Sequence, residues 1–291
     1  MKAVQLLHDD WDVRIDPDDG GLFDTCSFGQ YEIFRDRVTA DVTGNTFAPM
    51  LSGNFPLHPY SNRIKHGRFE FQGRSVQLVK TAPHVAHPLH GLGWINPWHV
   101  HERGNDYCVL TQRIDGDGWP WVYEAALNIS VIKQVLRLEL HLTNKSALDM
   151  PCGFGFHPYF PDLETAFICF NSSGVWLCDD EHIPTEWSPT SPEFDFSKPR
   201  ELKNLSLDHC FTETRNAEIS WQDKPIKINI TSSENLSRAA VFVDQPNDRF
   251  CFEPISHTHN ALNMAAPVSE GITILRPGKS ASCWSEFTVE I

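Results

Sequence analysis

Residues 135–143 constrain the fold more than any other segment, because their side chains alternate strictly in polarity. Leucines occupy positions 136, 138, 140 and 142, and Arg, Glu, His and Thr stand at the positions between and after them. A repeat of two residues puts all four leucines on one face of a strand, whereas a helix would need a repeat near 3.6. The segment therefore predicts a long strand with one buried face.

Similar short segments, separated by Gly, Pro, Asn and Asp, recur along the chain, and helical periodicity is nearly absent. Such a pattern is typical of a β-sandwich or barrel. A meander is expected over 107–143 and a hairpin over 69–78 with its turn at Gln72-Gly73-Arg74. Further strands are expected within 10–36 and at 166–170, 226–231, 239–243, 249–253 and 283–290. We expect one all-β domain spanning residues 1–291.

One segment, residues 181–207, lacks this pattern. It contains four prolines and few residues that favour strands. It is therefore predicted to be a long loop or excursion, and loops of that length in compact domains tend to be functional or mobile.

The charge balance limits the possible partners. The 291 residues include 24 Lys and Arg and 38 Asp and Glu, which gives a net charge of −14. Binding to nucleic acid needs a basic face, so a polar but uncharged ligand fits better. The eight cysteines form no C-x-x-C pair, and no apolar run is long enough for a membrane span. We expect a soluble, cytoplasmic protein with reduced thiols and no membrane partner.

Five polar residues stand in otherwise strand-like surroundings and are candidates for chemistry: Arg63, His90, His157, Asp208 and Glu253. Each alone has a structural explanation. Arg63 could cap a turn, Asp208 could begin one, and Glu253 could pair with Arg249. Their occurrence together strengthens the hypothesis that each of them is functional.

The sequence lacks the motifs of several reaction classes. The spacing of His84, His87 and His90 would suit a metal on a helix, but neighbouring prolines and glycines oppose a helix there, so no metal is predicted. No G-x-S-x-G elbow and no phosphate-binding glycine loop is present.

A histidine and a carboxylate remain, which can act as an acid and base pair on a neutral, polyhydroxyl ligand. Four aromatic residues offer flat apolar faces for such a ligand, although core packing is the alternative for each: Trp94, Trp98, Phe156 and Phe160.

Five motifs occur in a fixed order: Asn62-Arg63-Ile64, His87-Pro88-Leu89-His90-Gly91, Gly155-Phe156-His157-Pro158-Tyr159, Asp208-His209-Cys210-Phe211 and Phe252-Glu253-Pro254-Ile255-Ser256. As a set they resemble the aldose 1-epimerase, or galactose mutarotase, family, and in particular its bacterial epimerase-like branch. The resemblance implies a large antiparallel β-sandwich, the supersandwich of that family, with a sugar-binding cleft. It also implies interconversion of the α and β anomers of a free sugar without a cofactor.

Carried over residue by residue, the resemblance makes Glu253 the general base at the C1 hydroxyl and His157 the general acid at the ring oxygen. His90 would assist at the anomeric centre, and Arg63 and Asp208 would hold sugar hydroxyls. Asn62 and Trp94 complete the expected contacts with the monosaccharide. The protein is expected to be a monomer or a homodimer.

Two other functions stay open. A hexose-6-phosphate 1-epimerase would need cations at the rim of the cleft, for which Lys65, His66 and Arg68 are candidates. A carbohydrate-binding or sensing protein would keep the cleft without turnover, although such a protein would not need an acid and base pair.

Overall fold

The computed structural model describes residues 3–40, 42, 44, 47–82, 85–116 and 118–291. In chain order its strands are β1 Val4–His8, β2 Trp11–Asp16, β3 Leu22–Phe28, β4 Tyr31–Phe34, β5 Pro56–Leu57, β6 Arg68–Phe71, β7 Arg74–Gln77, β8 His99–Arg103, β9 Tyr107–Asp115, β10 Val122–Ile132, β11 Val135–Asn144, β12 Met150–Cys152, β13 Gly155–Phe156, β14 Tyr159–Pro161, β15 Ala166–Phe170, β16 Gly174–Cys178, β17 Pro184–Pro189, β18 Arg200–Glu201, β19 Asp208–Thr212, β20 Asn216–Trp221, β21 Lys227–Ser232, β22 Arg238–Asp244, β23 Arg249–Ile255, β24 Thr273–Leu275 and β25 Ser280–Glu290.

Helical structure among these residues is limited to short 3₁₀ turns at Ala48–Leu51, Lys65–Gly67, Leu163–Thr165, Gln245–Asn247 and Ala261–Asn263. In the part of the chain that the structure describes, no helix is long and apolar enough to cross a membrane.

Two large antiparallel sheets dominate the architecture. One has the order β18-β15-β20-β21-β25-β11-β10-β9-β8, and the other has the order β17-β16-β19-β22-β23-β13-β5, with β14 also paired to β23. A four-stranded sheet, β1-β2-β3-β4, and the two-stranded pairs β6-β7 and β12-β24 complete the fold. The expected all-β antiparallel sandwich is confirmed.

Strand β11 behaves as its sequence predicts. Its residues alternate between partly exposed and buried, and the four leucines are fully buried. They belong to the same apolar core as Phe250 and Phe252 of β23, which reach it from the eight-stranded sheet. The sheets therefore stack through the faces that alternation predicts, as in a β-sandwich.

The prediction of a long loop or excursion over 181–207 missed two edge strands. Residues Pro184–Pro189 form β17, which pairs with β16 at the edge of the eight-stranded sheet, and Arg200–Glu201 form the short edge strand β18. Proline cannot donate a backbone hydrogen bond, so it is tolerated at an edge and rare inside a sheet. The prolines that suggested a loop instead mark an edge.

Strand β23 positions the candidate site, because all seven of its residues are buried. Phe250 and Phe252 enter the core between the sheets, while Cys251 and Glu253 point to the opposite face by the alternation of a strand. Chain excursions cover that second face, so a carboxylate is buried there within an antiparallel sheet.

Candidate active site

A cavity of about 170 Å³ lies on the covered face of the eight-stranded sheet. Six of the seven residues expected to form the site line it: Asn62, Arg63, His90, His157, Asp208 and Glu253. They come from distant parts of the chain, so the tertiary fold alone brings them together. The remaining walls are mostly apolar, with Leu89, Tyr159 and Phe242 among them.

His157 lies in the turn between β13 and β14 and faces Glu253 directly. Its Nε2 is 3.3 Å from Glu253 Oε1, and both side chains are less than a tenth exposed. The imidazole is held between the rings of Phe55 and Tyr159, whose centroids lie 4.5 and 4.6 Å from its own. The His157 amide also donates to the carbonyl of Phe55 at 3.0 Å. Packing therefore fixes the orientation of this ring.

Burial favours the uncharged forms of this pair. It raises the pKa of Glu253 well above its usual range, with a further increase from the charge of Asp208 and an opposing effect of Arg63. Burial also lowers the pKa of His157. These opposite pKa shifts favour the proton on the Glu253 carboxyl, which can donate it to His157 Nε2.

Each member of the pair also has a second polar atom directed away from their contact. Among the described residues, His157 Nδ1 and Glu253 Oε2 are buried without a hydrogen-bond partner. Buried polar atoms without partners are uncommon in folded proteins, and these two belong to residues that line the cavity, where a ligand could hydrogen-bond to them.

His90 is held in one tautomer by its neighbour Asn62. The backbone N–H of Asn62 donates to His90 Nδ1 at 3.0 Å, and the backbone N–H of His90 donates to the backbone carbonyl of Asn62 at 3.0 Å. Burial lowers the pKa of His90 well below its usual value, so the ring is neutral. A neutral imidazole that accepts at Nδ1 carries its hydrogen on Nε2. His90 therefore presents a hydrogen-bond donor to the cavity.

The same tautomer opposes a metal at this site. Ligand atoms of His90, His157 and Glu253 lie within 4.8 Å of one another, a grouping that would suit a transition metal by residue type. A metal needs a lone pair on the ligating nitrogen, and His90 Nε2 carries a hydrogen. Of the histidines whose spacing first suggested a metal, His84 lies outside the described residues, and His87 accepts at Nδ1 from the His66 amide.

Arg63 and Asp208 form the charged side of the cavity. Arg63 Nη1 lies 3.6 Å from Asp208 Oδ2 and 3.3 Å from Asn62 Oδ1, which accepts its hydrogen bond. Burial would raise the pKa of Asp208, but a hydrogen bond from His182 and the charge of Arg63 lower it overall. Asp208 is therefore a carboxylate at neutral pH, suited to accept hydrogen bonds from hydroxyl groups.

His182 contacts the cavity residue Asp208, and the sequence did not indicate it. Its Nδ1 lies 2.7 Å from Asp208 Oδ2, although its ring is about half exposed. The turn before β17 holds it there, because Asp179 Oδ1 accepts from the amides of Glu181 and Ile183. The preceding residue in that turn, Glu181, approaches His87 Nε2 at 3.8 Å. The turn thus contacts the cavity residue Asp208 through His182 and contacts His87 through Glu181.

His257 was also not identified as part of the site. Its Nδ1 donates to the carbonyl of Thr258, and its Nε2 accepts from the Ser61 amide at 3.0 Å. It therefore anchors the backbone immediately before Asn62 and Arg63, without lining the cavity itself.

Trp94, expected to contact sugar, is placed elsewhere by the structure. Its side chain is fully buried, stacks on Phe55 and meets His90 edge to face. Its indole N–H donates to the carbonyl of Gly91. Trp94 supports the wall from behind, so the expected sugar contact is wrong and the core-packing alternative holds. Arg249, proposed as a partner of Glu253, instead donates to Asp244 at 2.7 Å.

Comparison with known proteins adds independent information. Residues 46–288 match the family model described as aldose 1-epimerase. The uncharacterized protein YphB of Escherichia coli (strain K12) is 29% identical over 246 residues, which are 81% of this chain and 83% of that protein.

Solved structures share the fold over nearly the whole chain. A protein of Escherichia coli K12, provisionally described as an aldose 1-epimerase, superposes with a TM-score of 0.90 at 26% identity over 99% of both chains. A galactose mutarotase-like protein of Clostridium acetobutylicum gives a TM-score of 0.88 at 18% identity, covering 99% of this chain and 95% of that one.

Proposed function

The chain belongs to the aldose 1-epimerase family, and from this premise we propose that it interconverts the α and β anomers of a free aldose. The observation that carries the proposal is the 3.3 Å contact between His157 Nε2 and Glu253 Oε1 inside a cavity lined by hydrogen-bonding groups. Reaction at an anomeric carbon requires proton transfer at two oxygens, O1 and O5, and this pair offers two proton-carrying groups side by side.

In the proposed reaction, Glu253 as a carboxylate takes the proton of the C1 hydroxyl while His157 as an imidazolium protonates O5. The C1–O5 bond breaks, its electron pair stays on O5, and the C1–O1 bond becomes a carbonyl. Rotation about C1–C2 presents the other face of the aldehyde. Closure returns the proton from O5 to His157 and the proton from Glu253 to O1.

The protonation states follow from the contact between the two groups. Shifting one proton from Glu253 to His157 converts the neutral pair into the ion pair that begins the reaction. Ring opening then regenerates the neutral pair, which burial favours. The low-dielectric surroundings thus stabilise the enzyme form that accompanies the open-chain sugar.

The other cavity residues are assigned to binding. His90 Nε2–H donates near the anomeric centre, and the Asp208 carboxylate and Arg63 guanidinium hold hydroxyls further along the ring. No metal or organic cofactor takes part in this scheme.

A free sugar suits the rim better than a sugar phosphate. Arg68 Nε donates to Gln77 Oε1 on the exposed hairpin β6-β7, so the Arg68 side chain already has a partner on that hairpin. Next to His182, which contacts the cavity residue Asp208, Glu181 carries a carboxylate that would repel a phosphate. These observations favour an uncharged hexose or pentose.

Anomer equilibration tests the proposal. Freshly dissolved α-D-glucose and α-D-galactose are followed by polarimetry or NMR with the wild-type protein, Glu253→Gln and His157→Gln. We expect each substitution to reduce kcat by about 10²–10⁴, the range of general acid and base catalysis.

Full activity in both variants would contradict the assigned roles. Sugar binding by calorimetry without any acceleration of anomer exchange would instead identify a carbohydrate-binding protein. Inhibition by glucose 6-phosphate far below the free-sugar KM would identify the phosphate-specific enzyme.

A further inference from the structure

A second groove, of about 610 Å³, lies on the same face of the eight-stranded sheet as the candidate active site. Residues paired directly across an antiparallel sheet share a face. One such row runs from Glu253 through Ala240, Cys210 and Trp176 to Trp187 at the edge. Trp176 and Trp187 line the second groove, and four strand spacings, or about 19 Å, separate Trp187 from Glu253.

The segment after β23 separates the two spaces. Arg238 Nε donates to Thr258 Oγ1, and the thiol of Cys210 interacts with the backbone of His259. Residues 256–260 therefore lie over the middle of the row, between Glu253 and the tryptophans. The groove is a compartment of its own, and a ligand in it leaves the catalytic cavity accessible.

Trp187 forms a fixed aromatic platform in this groove. Its indole lies against Gly174, where an added Cβ would come within 2.5 Å of the ring atom Cζ2. Its Nε1 donates to Thr212 Oγ1 at 3.2 Å, which fixes the rotation of the ring. The residue nevertheless remains 43% exposed. A rigid aromatic face of this kind binds ligands at low entropic cost.

The polar groups around the platform favour an uncharged, hydroxyl-rich ligand. Hydroxyls of Ser173 and Ser269 and carboxylates of Glu213 and Glu270 line the groove. Its cation, Arg238, donates to Thr258 and to the carbonyls of Ser256 and Ser269, and it lies 3.7 Å from Glu270. An anionic ligand would meet two carboxylates and a guanidinium that is already engaged. Glu270 Oε2 already accepts from Thr258 Oγ1, so ligand hydroxyls can donate to Glu213 and to the other oxygen of Glu270.

We propose that this groove is a second carbohydrate site, which binds a hexopyranose ring of a glycoside against the Trp187 indole. The apolar C–H face of the sugar packs on the ring, and its hydroxyls bond to the surrounding Ser and Glu side chains. The volume falls within the range of small-molecule sites and accommodates more than one sugar ring. The site is independent of catalysis, since its ligand lies outside the cavity that contains Glu253.

Methyl β-D-glucopyranoside, methyl β-D-galactopyranoside and methyl β-maltoside are suitable probes. The methyl glycosides cannot open their rings, so binding is measured without turnover and whether or not the protein is a mutarotase. Titration is followed through the indole N–H signals in ¹H–¹⁵N NMR spectra, with the Trp187 signal identified from the Trp187→Phe variant. We expect at least one probe to shift that signal with a Kd near or below about 10 mM.

Trp187→Ala is expected to weaken binding at this site at least tenfold while Trp187→Phe keeps part of it, and neither should change anomer exchange of glucose. Trp284→Ala is the matched control, since Trp284 is a partly exposed tryptophan on β25, packed under Arg137 in the other large sheet. The proposal is overturned if none of the three probes shifts the Trp187 signal. It is equally overturned if Trp187→Ala, folded by its spectrum, binds the probes as tightly as the wild type.

Discussion

His182 Nδ1 lies 2.7 Å from Asp208 Oδ2, and Arg63 Nη1 approaches the same oxygen at 3.6 Å. The hydrogen bond from His182 and the charge of Arg63 act on the same carboxylate oxygen, which leaves Oδ1 free of these two contacts and able to accept from a hydroxyl of the proposed sugar substrate. Arg63 comes from within the cavity wall, whereas His182 belongs to an exposed turn. Substrate binding is therefore expected to depend on a residue at the surface.

Replacing His182 with Ala is expected to raise KM about 3–10-fold, because a partly exposed hydrogen bond to a charged group is lost. The value of kcat should stay within about twofold, since His182 does not reach Glu253 or His157. His182→Asn should restore part of the affinity through its amide N–H. His101→Ala, at an exposed position on β8, is the control. A fall in kcat with unchanged KM would show that His182 acts in the chemical step instead.

Glu253→Gln is expected to stabilise the protein increasingly as pH rises. Burial raises the folded-state pKa of Glu253, so the unfolded chain releases this proton first, from about pH 4.5 upward. Wild-type stability then falls by up to about 1.4 kcal/mol per pH unit until the folded pKa is reached. Urea unfolding at pH 4, 6 and 8 measures the effect. Glu234→Gln, at an exposed glutamate, is the control, and a stability difference between wild type and Glu253→Gln that does not change with pH would contradict the argument.

His90 is expected to remain the neutral Nε2–H tautomer across the pH range of activity. The Asn62 amide occupies Nδ1, and burial lowers the pKa of the ring. Long-range ¹H–¹⁵N NMR distinguishes the two ring nitrogens directly. His90→Gln, which keeps a donor, should retain more activity than His90→Leu. Detection of the Nδ1–H tautomer would remove the argument against metal ligation.

Gly91→Ala is expected to destabilise the protein by about 2–4 kcal/mol and to displace His90. Gly91 has φ +69°, and a Cβ there would lie 2.2 Å from the carbonyl oxygen of His58. Gly73, in the β6-β7 turn, has φ +75° with nothing within 4 Å of such a Cβ. Gly73→Ala therefore measures the backbone strain alone, expected near 1 kcal/mol. Equal losses for both variants would show that the contact with His58 is unimportant.

The sequence predicted the strands well wherever one face is apolar. Residues 166–170 were expected as a strand and form β15 with the same bounds, and the hairpin turn at Gln72-Gly73 is confirmed. In such segments the alternation of apolar and polar residues already shows which face of the strand is buried. The edge strand β17 was missed because its prolines, read locally, indicate a loop, and only its position in the sheet makes them acceptable.

The site was less accessible to sequence reasoning. His157 and Glu253 were paired through a family resemblance, and the structure brings them to 3.3 Å. Trp94 was misassigned because residue identity alone does not show whether an aromatic side chain lines a cavity or packs behind its wall. His182 gave no usable signal, since its contact with Asp208 depends on the pairing of β16 with both β17 and β19.

Strand β23 carries core phenylalanines and the proposed base on alternate residues, and both of its faces are covered. The carboxylate proposed as the base is thus embedded in the same element that holds the two sheets together. Heat or denaturant cannot loosen this part of the site and leave the core intact, so inactivation and global unfolding should coincide. Laboratory evolution toward other sugars therefore has most freedom in the surface turn that carries His182 and least in β23.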